Sequence, residues 1–137
     1  MPRIVAIDYG TKRVGLAVTD PLKIFATALD TIHSKDVIAY LLEYDKKEGI
    51  ECFVIGMPKT LSNEDSSNAK FVKIFMIALK KSFPDKEIIT IDERFTSSMA
   101  LDTMIQGGMK KKDRRNKENV DKISATIILQ SYLERRK

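Results

Sequence analysis

Three carboxylates stand where a structural role is hard to assign: Asp8, Glu93 and Asp121. Asp8 closes the apolar run Ile4-Val5-Ala6-Ile7. Burying an unpaired carboxylate costs far more than one side chain can return, so such a run should not end in an anion unless something binds it. Glu93 follows a short apolar run, beside Asp92, and Asp121 lies between Val120 and Ile123. Each acid has an ordinary alternative. Asp8 is a common turn type, Glu93 can pair with Arg94, and Asp121 in a first helical turn favours the helix dipole. Brought together, the three would repel one another unless a cation sat among them. All-oxygen ligands suit Mg²⁺ or Mn²⁺ rather than zinc. Two such ions, roughly 3.5–4 Å apart, activate water and stabilise a leaving oxygen in phosphodiester cleavage.

A basic side accompanies the acids. Lys110, Lys111, Lys112, Arg114, Arg115 and Lys117 fall just before Asp121. As an isolated run these charges read as a solvated loop. Beside a carboxylate cluster they would hold a phosphate backbone against bound metal, with Lys12 and Arg13 extending the track. Binding should then weaken steeply with salt. No aromatic-rich stacking platform is visible, so recognition by shape and backbone is expected.

The elements that must position these groups follow in order. Residues 3–8 and 14–19 form a hairpin turning through Gly10, and Ile24–Ile32 supplies a third strand. Ser34 can cap a helix whose stripe is Val37, Ile38, Leu41 and Leu42 and which Gly49 ends. Cys52–Ile55, closed by Gly56 and Pro58, reads as a buried parallel strand. A polar loop from Lys59 to Asn63 follows, and Ser62 with Asp65 resembles a capping box. The next helix turns Val72, Phe75, Met76 and Leu79 inward and stops before Pro84. Glu87–Ile91 is a strand running into Asp92-Glu93-Arg94. Thr96 or Ser97 caps a helix through Ala100, Leu101, Met104 and Ile105, which Gly107 ends. The last helix starts near Asn119, with Val120, Ile123, Ile127 and Ile128 as its apolar positions. A hairpin followed by βαβ crossovers implies an α/β fold, one mixed sheet with helices on its faces. In open α/β sheets ligands bind beyond the carboxyl ends of parallel strands, the edge where Asp8 and Glu93 would lie.

The bulk numbers agree. The chain has 137 residues, within the size of one domain, and 43% are hydrophobic, enough for a core. The net charge of +5 leans toward a polyanionic partner. Cys52 is the only cysteine, so neither a disulfide nor a thiolate metal cluster can form within the chain. The sole histidine, His33, reads as an ordinary strand-end residue, and His-rich zinc sites are excluded. No apolar stretch reaches membrane-spanning length and no signal-peptide pattern is present, so a soluble cytoplasmic protein with no membrane partner is expected.

With these pieces assembled, the sequence resembles the RuvX (YqgF) family, Holliday-junction-resolvase-like proteins also described as pre-16S rRNA nucleases. Four segments carry the resemblance: Ile7-Asp8-Tyr9-Gly10-Thr11-Lys12-Arg13-Val14-Gly15-Leu16-Ala17, Val54-Ile55-Gly56-Met57-Pro58, Asp92-Glu93-Arg94-Phe95-Thr96-Ser97, and Val120-Asp121-Lys122-Ile123-Ser124-Ala125 running on to Leu133. The resemblance implies an RNase H-like domain over 1–137, with a five-stranded sheet of order 3-2-1-4-5, strand two antiparallel to the rest. It implies a metal-dependent endonuclease acting on structured nucleic acid, in maturation of the 5′ end of 16S rRNA. Asp8, Glu93 and Asp121 match the acidic positions; pre-16S rRNA, the preribosome or branched DNA would be the partner. Two departures stand out. The loop from Lys59 to Ser67 lacks the family's usual glycines, and Ser124-Ala125 replaces paired alanines. In this strand order strand four lies between the strands bearing Asp8 and Glu93, which puts those backbones roughly 10 Å apart. The acids can meet only over Gly56, which becomes a proposed clearance residue.

Two other readings compete. The same fold could hold RNA or a protein without cutting; affinity that survives loss of all three acids would mark it. Asp8-Tyr9-Gly10-Thr11 also resembles the first phosphate loop of the actin, Hsp70 and sugar-kinase superfamily. Those enzymes close two such domains on a nucleotide, and no second Asp-x-Gly phosphate motif appears; saturable ATP binding would mark that reading.

Overall fold

Ile4, Val5, Ala6 and Ile7 are all fully buried, the mark of a strand covered on both faces. In the computed structural model they form β1 (Arg3–Tyr9), the central strand of a five-stranded sheet of order β3-β2-β1-β4-β5. The structure describes residues 2–20, 22, 25–57, 69–92 and 117–136, with backbone alone at 92, 117–123 and 135–136. The other elements are β2 (Arg13–Thr19), β3 (Ala26–His33), α1 (Val37–Glu48), β4 (Ile50–Met57), α2 (Ala69–Ser82), β5 (Glu87–Asp92) and α3 (Lys117–Arg136). β2 is antiparallel to β1, β3 is antiparallel to β2, and β1, β4 and β5 run parallel. This is the expected sheet order and the expected sense of strand two. The capping box at Ser62 and Asp65, the glycine-poor loop to Ser67, and the helix from Thr96 or Ser97 to Gly107 lie outside the described residues.

The strands alternate between two cores. Val5, Ile7, Leu16, Phe53 and Ile55 pack with Val37 and Leu41 of α1 and with Val72, Phe75 and Leu79 of α2. Ile4, Ala6, Ala17, Val54 and Ile91 pack instead with Ala125, Ile128, Leu129 and Leu133 of α3. The period of two along each strand sorts the side chains in this way. Gly49 ends α1 at φ 82°, a backbone favourable mainly to glycine, as the sequence predicts. Cys52 is a buried free thiol. His33 closes β3, its Nδ1 accepting from the Lys35 N–H at 3.1 Å. Among the described residues no helix is long and apolar enough to cross a membrane.

Three local expectations change. Ser34 does not cap α1: the helix begins at Val37, with Asp36 at the cap position and no side-chain cap bond. Ser34 instead ties the β1–β2 turn, its hydroxyl donating to the Thr11 carbonyl at 2.6 Å and its N–H to the Lys12 carbonyl at 3.1 Å. Short polar side chains satisfy whichever backbone acceptor is nearest, and tertiary folding brought the turn closer than the helix end. α3 starts at Lys117 rather than near Asn119, which makes Lys117 helical and moves Asp121 past the first turn. Its buried stripe is Ser124, Ala125, Ile128, Leu129 and Leu133, while Ile127 is only half-buried. An all-apolar run of Ile127, Ile128 and Leu129 hides the phase of the helix, which contact with the sheet decides.

Candidate active site at the end of the central strand

Asp8 is the sixth residue of β1 and half-buried. Ile4 and Ala6, on the same strand face, lie in the α3 core, so the pleat turns Asp8 toward α3. Register shows what flanks it. Asp8 pairs with Gly15 on β2. Ile7 pairs with Ile55 on β4, so the next row brings Gly56 beside Asp8, and Gly56 in turn pairs with Ile91 on β5. The carboxylate therefore stands in a row with a glycine on either side. Gly56 holds the bridging position that the strand order requires. Gly15 escaped the sequence reading, although the hairpin register that places Val14 opposite Tyr9 would have revealed it.

On the other face the strand end is anchored. Tyr9 stacks on Phe75 of α2 with ring centroids 4.5 Å apart. Beyond it the chain turns tightly: a Cβ on Gly10 would sit 2.6 Å from the Arg13 carbonyl oxygen, so only glycine fits. That turn carries Lys12, exposed, and Arg13, half-buried, to the edge of the sheet where β1 ends. With Ser34 holding both turn carbonyls, the Lys12 backbone is fixed rather than free to sweep.

α3 packs across β1, β2 and β3 and reaches β4. Asp121 lies four residues before buried Ala125 and seven before buried Ile128, the spacing of one helical stripe. Asp92 is the last residue of β5 and pairs with Met57, one row past Gly56. Glu93, Arg94, Lys110, Lys111, Lys112, Arg114 and Arg115 lie outside the described residues, and Lys117 and Asp121 are described by backbone alone. Among the described residues no three His, Cys, Asp or Glu side chains gather as a metal site. What the described part contributes is one hard-oxygen donor, Asp8, in a row without flanking side chains, a donor chemistry that suits Mg²⁺ or Mn²⁺.

Known proteins match this arrangement over nearly the whole chain. The family model for RuvX, described as Holliday junction resolvase, matches residues 2–135. The chain belongs to the RuvX family. A Flavobacterium psychrophilum relative, named "Putative pre-16S rRNA nuclease", is 52% identical over 99% of this chain and 99% of its own. One from Amoebophilus asiaticus with the same name is 51% identical over 97% of this chain and 94% of its own. Among solved structures, Thermus thermophilus RuvC in complex with a Holliday junction substrate aligns with TM-score 0.60 at 15% identity, covering 99% of this chain and 96% of that one. That likeness establishes the RNase H-like fold. On the α3 face Ser124 and Ala125 are both buried, and both are small enough to let α3 lie close on the sheet.

Proposed function

We propose that this RuvX chain is a single-domain, divalent-metal-dependent endonuclease for structured nucleic acid, working in the cytoplasm on the 5′ end of pre-16S rRNA. The observation that carries the reading is Asp8 in its two-glycine row on the face that α3 covers, in a chain about half identical to relatives named as pre-16S rRNA nucleases. Asp8 and Asp121 would hold Mg²⁺ or Mn²⁺, and Glu93 would complete the set or orient the attacking water. When bound, such ions acidify water and stabilise the oxygen that leaves. The chain's own cations do the rest. Lys12 and Arg13 at the fixed turn, with Arg94, the 110–115 segment and Lys117, grip the phosphates on either side of the scissile bond. Glu93 would orient the water; the water's oxygen bonds to phosphorus as the bond from phosphorus to the sugar oxygen breaks, the water's proton leaving to solvent and the departing oxygen taking one up from it. Gly15 and Gly56 keep the row beside Asp8 open.

The test is cleavage of a 5′-extended 16S precursor, as naked RNA and within the preribosomal particle, and of branched DNA, with Mg²⁺ or Mn²⁺. The parent should cut one of these, with chelator abolishing the reaction, and Asp8→Asn should not. If Asp8→Asn cuts as fast as the parent, the reading fails. RNA affinity undiminished by loss of Asp8, Glu93 and Asp121, with no cleavage on any substrate, would instead mark a binding module.

A further inference from the structure

α2 carries a face that the nuclease reading does not use. Val72, Phe75 and Leu79 bind it to the sheet. On its outer side Ile74 is 63% exposed and Ile77 62%, with Phe71 at 41% on the flank. Lys70, Lys73, Lys80 and Lys81 surround them, and α2 contains no acidic residue. The lysines are partly ordered: Lys80 Nζ donates to the Lys86 carbonyl at 2.7 Å, and Lys70 Nζ lies 5.1 Å from the centre of the Phe71 ring. Between α2 and β5 runs a groove of about 540 Å³ lined by Lys73, Met76, Ile77, Lys80, Glu87 and Ile88, roomy enough for large apolar side chains.

We infer that this face docks an acidic, amphipathic helical segment of a partner protein. Charge complementarity selects the occupant. Lys70, Lys80 and Lys81, on a helix that carries no acid, leave this face positive and call for carboxylates opposite them. Two large, exposed isoleucines and an apolar groove call for Leu, Ile or Phe anchors at helical spacing between those carboxylates. The alternatives each meet only part of the surface. A phosphate backbone satisfies the lysines and leaves the isoleucines in water. A second copy packed α2 to α2 sets lysine against lysine. A bilayer needs a broader apolar strip than Ile74, Ile77 and the flanking Phe71 between lysines.

The experiment is a titration of the ¹⁵N-labelled full chain with a synthetic helical peptide bearing leucines on one face and glutamates beside them. Saturable binding with shifts confined to α2 and to Glu87 and Ile88 is expected. The double variant Ile74→Ser/Ile77→Ser, and separately Lys70→Glu/Lys81→Glu, should each weaken it about tenfold or more. Both pairs are surface positions, and circular dichroism should show the parental fold. A peptide with lysines in place of the glutamates should not bind. No saturation, shifts elsewhere, or equal binding of the lysine peptide overturns the inference. So does binding of structured RNA or anionic phosphatidylserine vesicles that the serine variant loses to the same degree. Cleavage by the serine variant should remain parental, which separates failure here from failure of the nuclease reading.

Discussion

Under α1 and α2 the sheet presents Val5, Ile7, Leu16, Phe53 and Ile55; under α3 the same strands present Ala6, Ala17 and, in the row of Asp8, Gly15 and Gly56. The first face is filled with large side chains, and Phe53 meets Phe83 edge-on with ring centroids 4.9 Å apart. Dense packing of that kind supplies stability. The second face also carries Ile4, Val54 and Ile91, but it narrows to small residues toward the strand end, where glycines flank Asp8. It gives up side-chain area near the strand end, where the strands on either side of Asp8 carry glycine. On the proposed function, stability and chemistry would occupy opposite sides of one sheet, with β1 serving both through the alternation of its side chains.

The comparison can be broken at its large-residue side first. Phe53→Ala should cost about 3–5 kcal/mol of stability, the usual cost of emptying a packed aromatic site, while cleavage per folded molecule stays near parental. Urea unfolding together with the activity of the folded fraction measures both; a large loss of intrinsic activity would mean the two faces are not separable. Next is the acid itself. Asp8→Asn should lower the cleavage rate about 10²-fold or more, equivalent to about 2.7 kcal/mol of lost transition-state stabilisation, with a melting temperature at or above the parent's. A third change sharpens the role of the glycine row. Gly56→Leu should fold yet weaken Mn²⁺ binding at least tenfold, about 1.4 kcal/mol, as read by calorimetry; unchanged affinity would show that the row needs no clearance. The smallest effect belongs to the turn. Ser34→Ala removes the hydroxyl's hydrogen bond to the Thr11 carbonyl and should cost about 0.5–1.5 kcal/mol, as read by urea unfolding. The Ser34 N–H keeps its bond to the Lys12 carbonyl, so the salt slope of RNA binding should stay parental; a shallower slope would show that the hydroxyl also positions Lys12.

Strand and helix order was legible in the residues because period and punctuation are local. The run Ile4–Ile7, the glycine after Glu48 and the Val72, Phe75, Leu79 stripe each announce their element within a few positions. Other features were not local. Ser34 had two acceptors in reach only after β3 folded back on the first hairpin. The buried stripe of α3 could not be phased within Ile127-Ile128-Leu129, because three adjacent apolar residues fit more than one helix face. Lys117 read as part of a basic loop because charge says nothing about where a helix begins.

By itself the sequence determined the chemistry on offer: three acids, a basic arm, a lone buried cysteine, and apolar runs of the length and period that build an α/β sheet. The tertiary structure alone decided who stands beside whom. Pairing β1 with β2 on one side and β4 on the other placed Gly15 and Gly56 in the row of Asp8 and turned that row toward α3. Register is a long-range property, set when hydrogen-bonded ladders and two cores are satisfied at once, and a slip of one residue would send Asp8 to the opposite face.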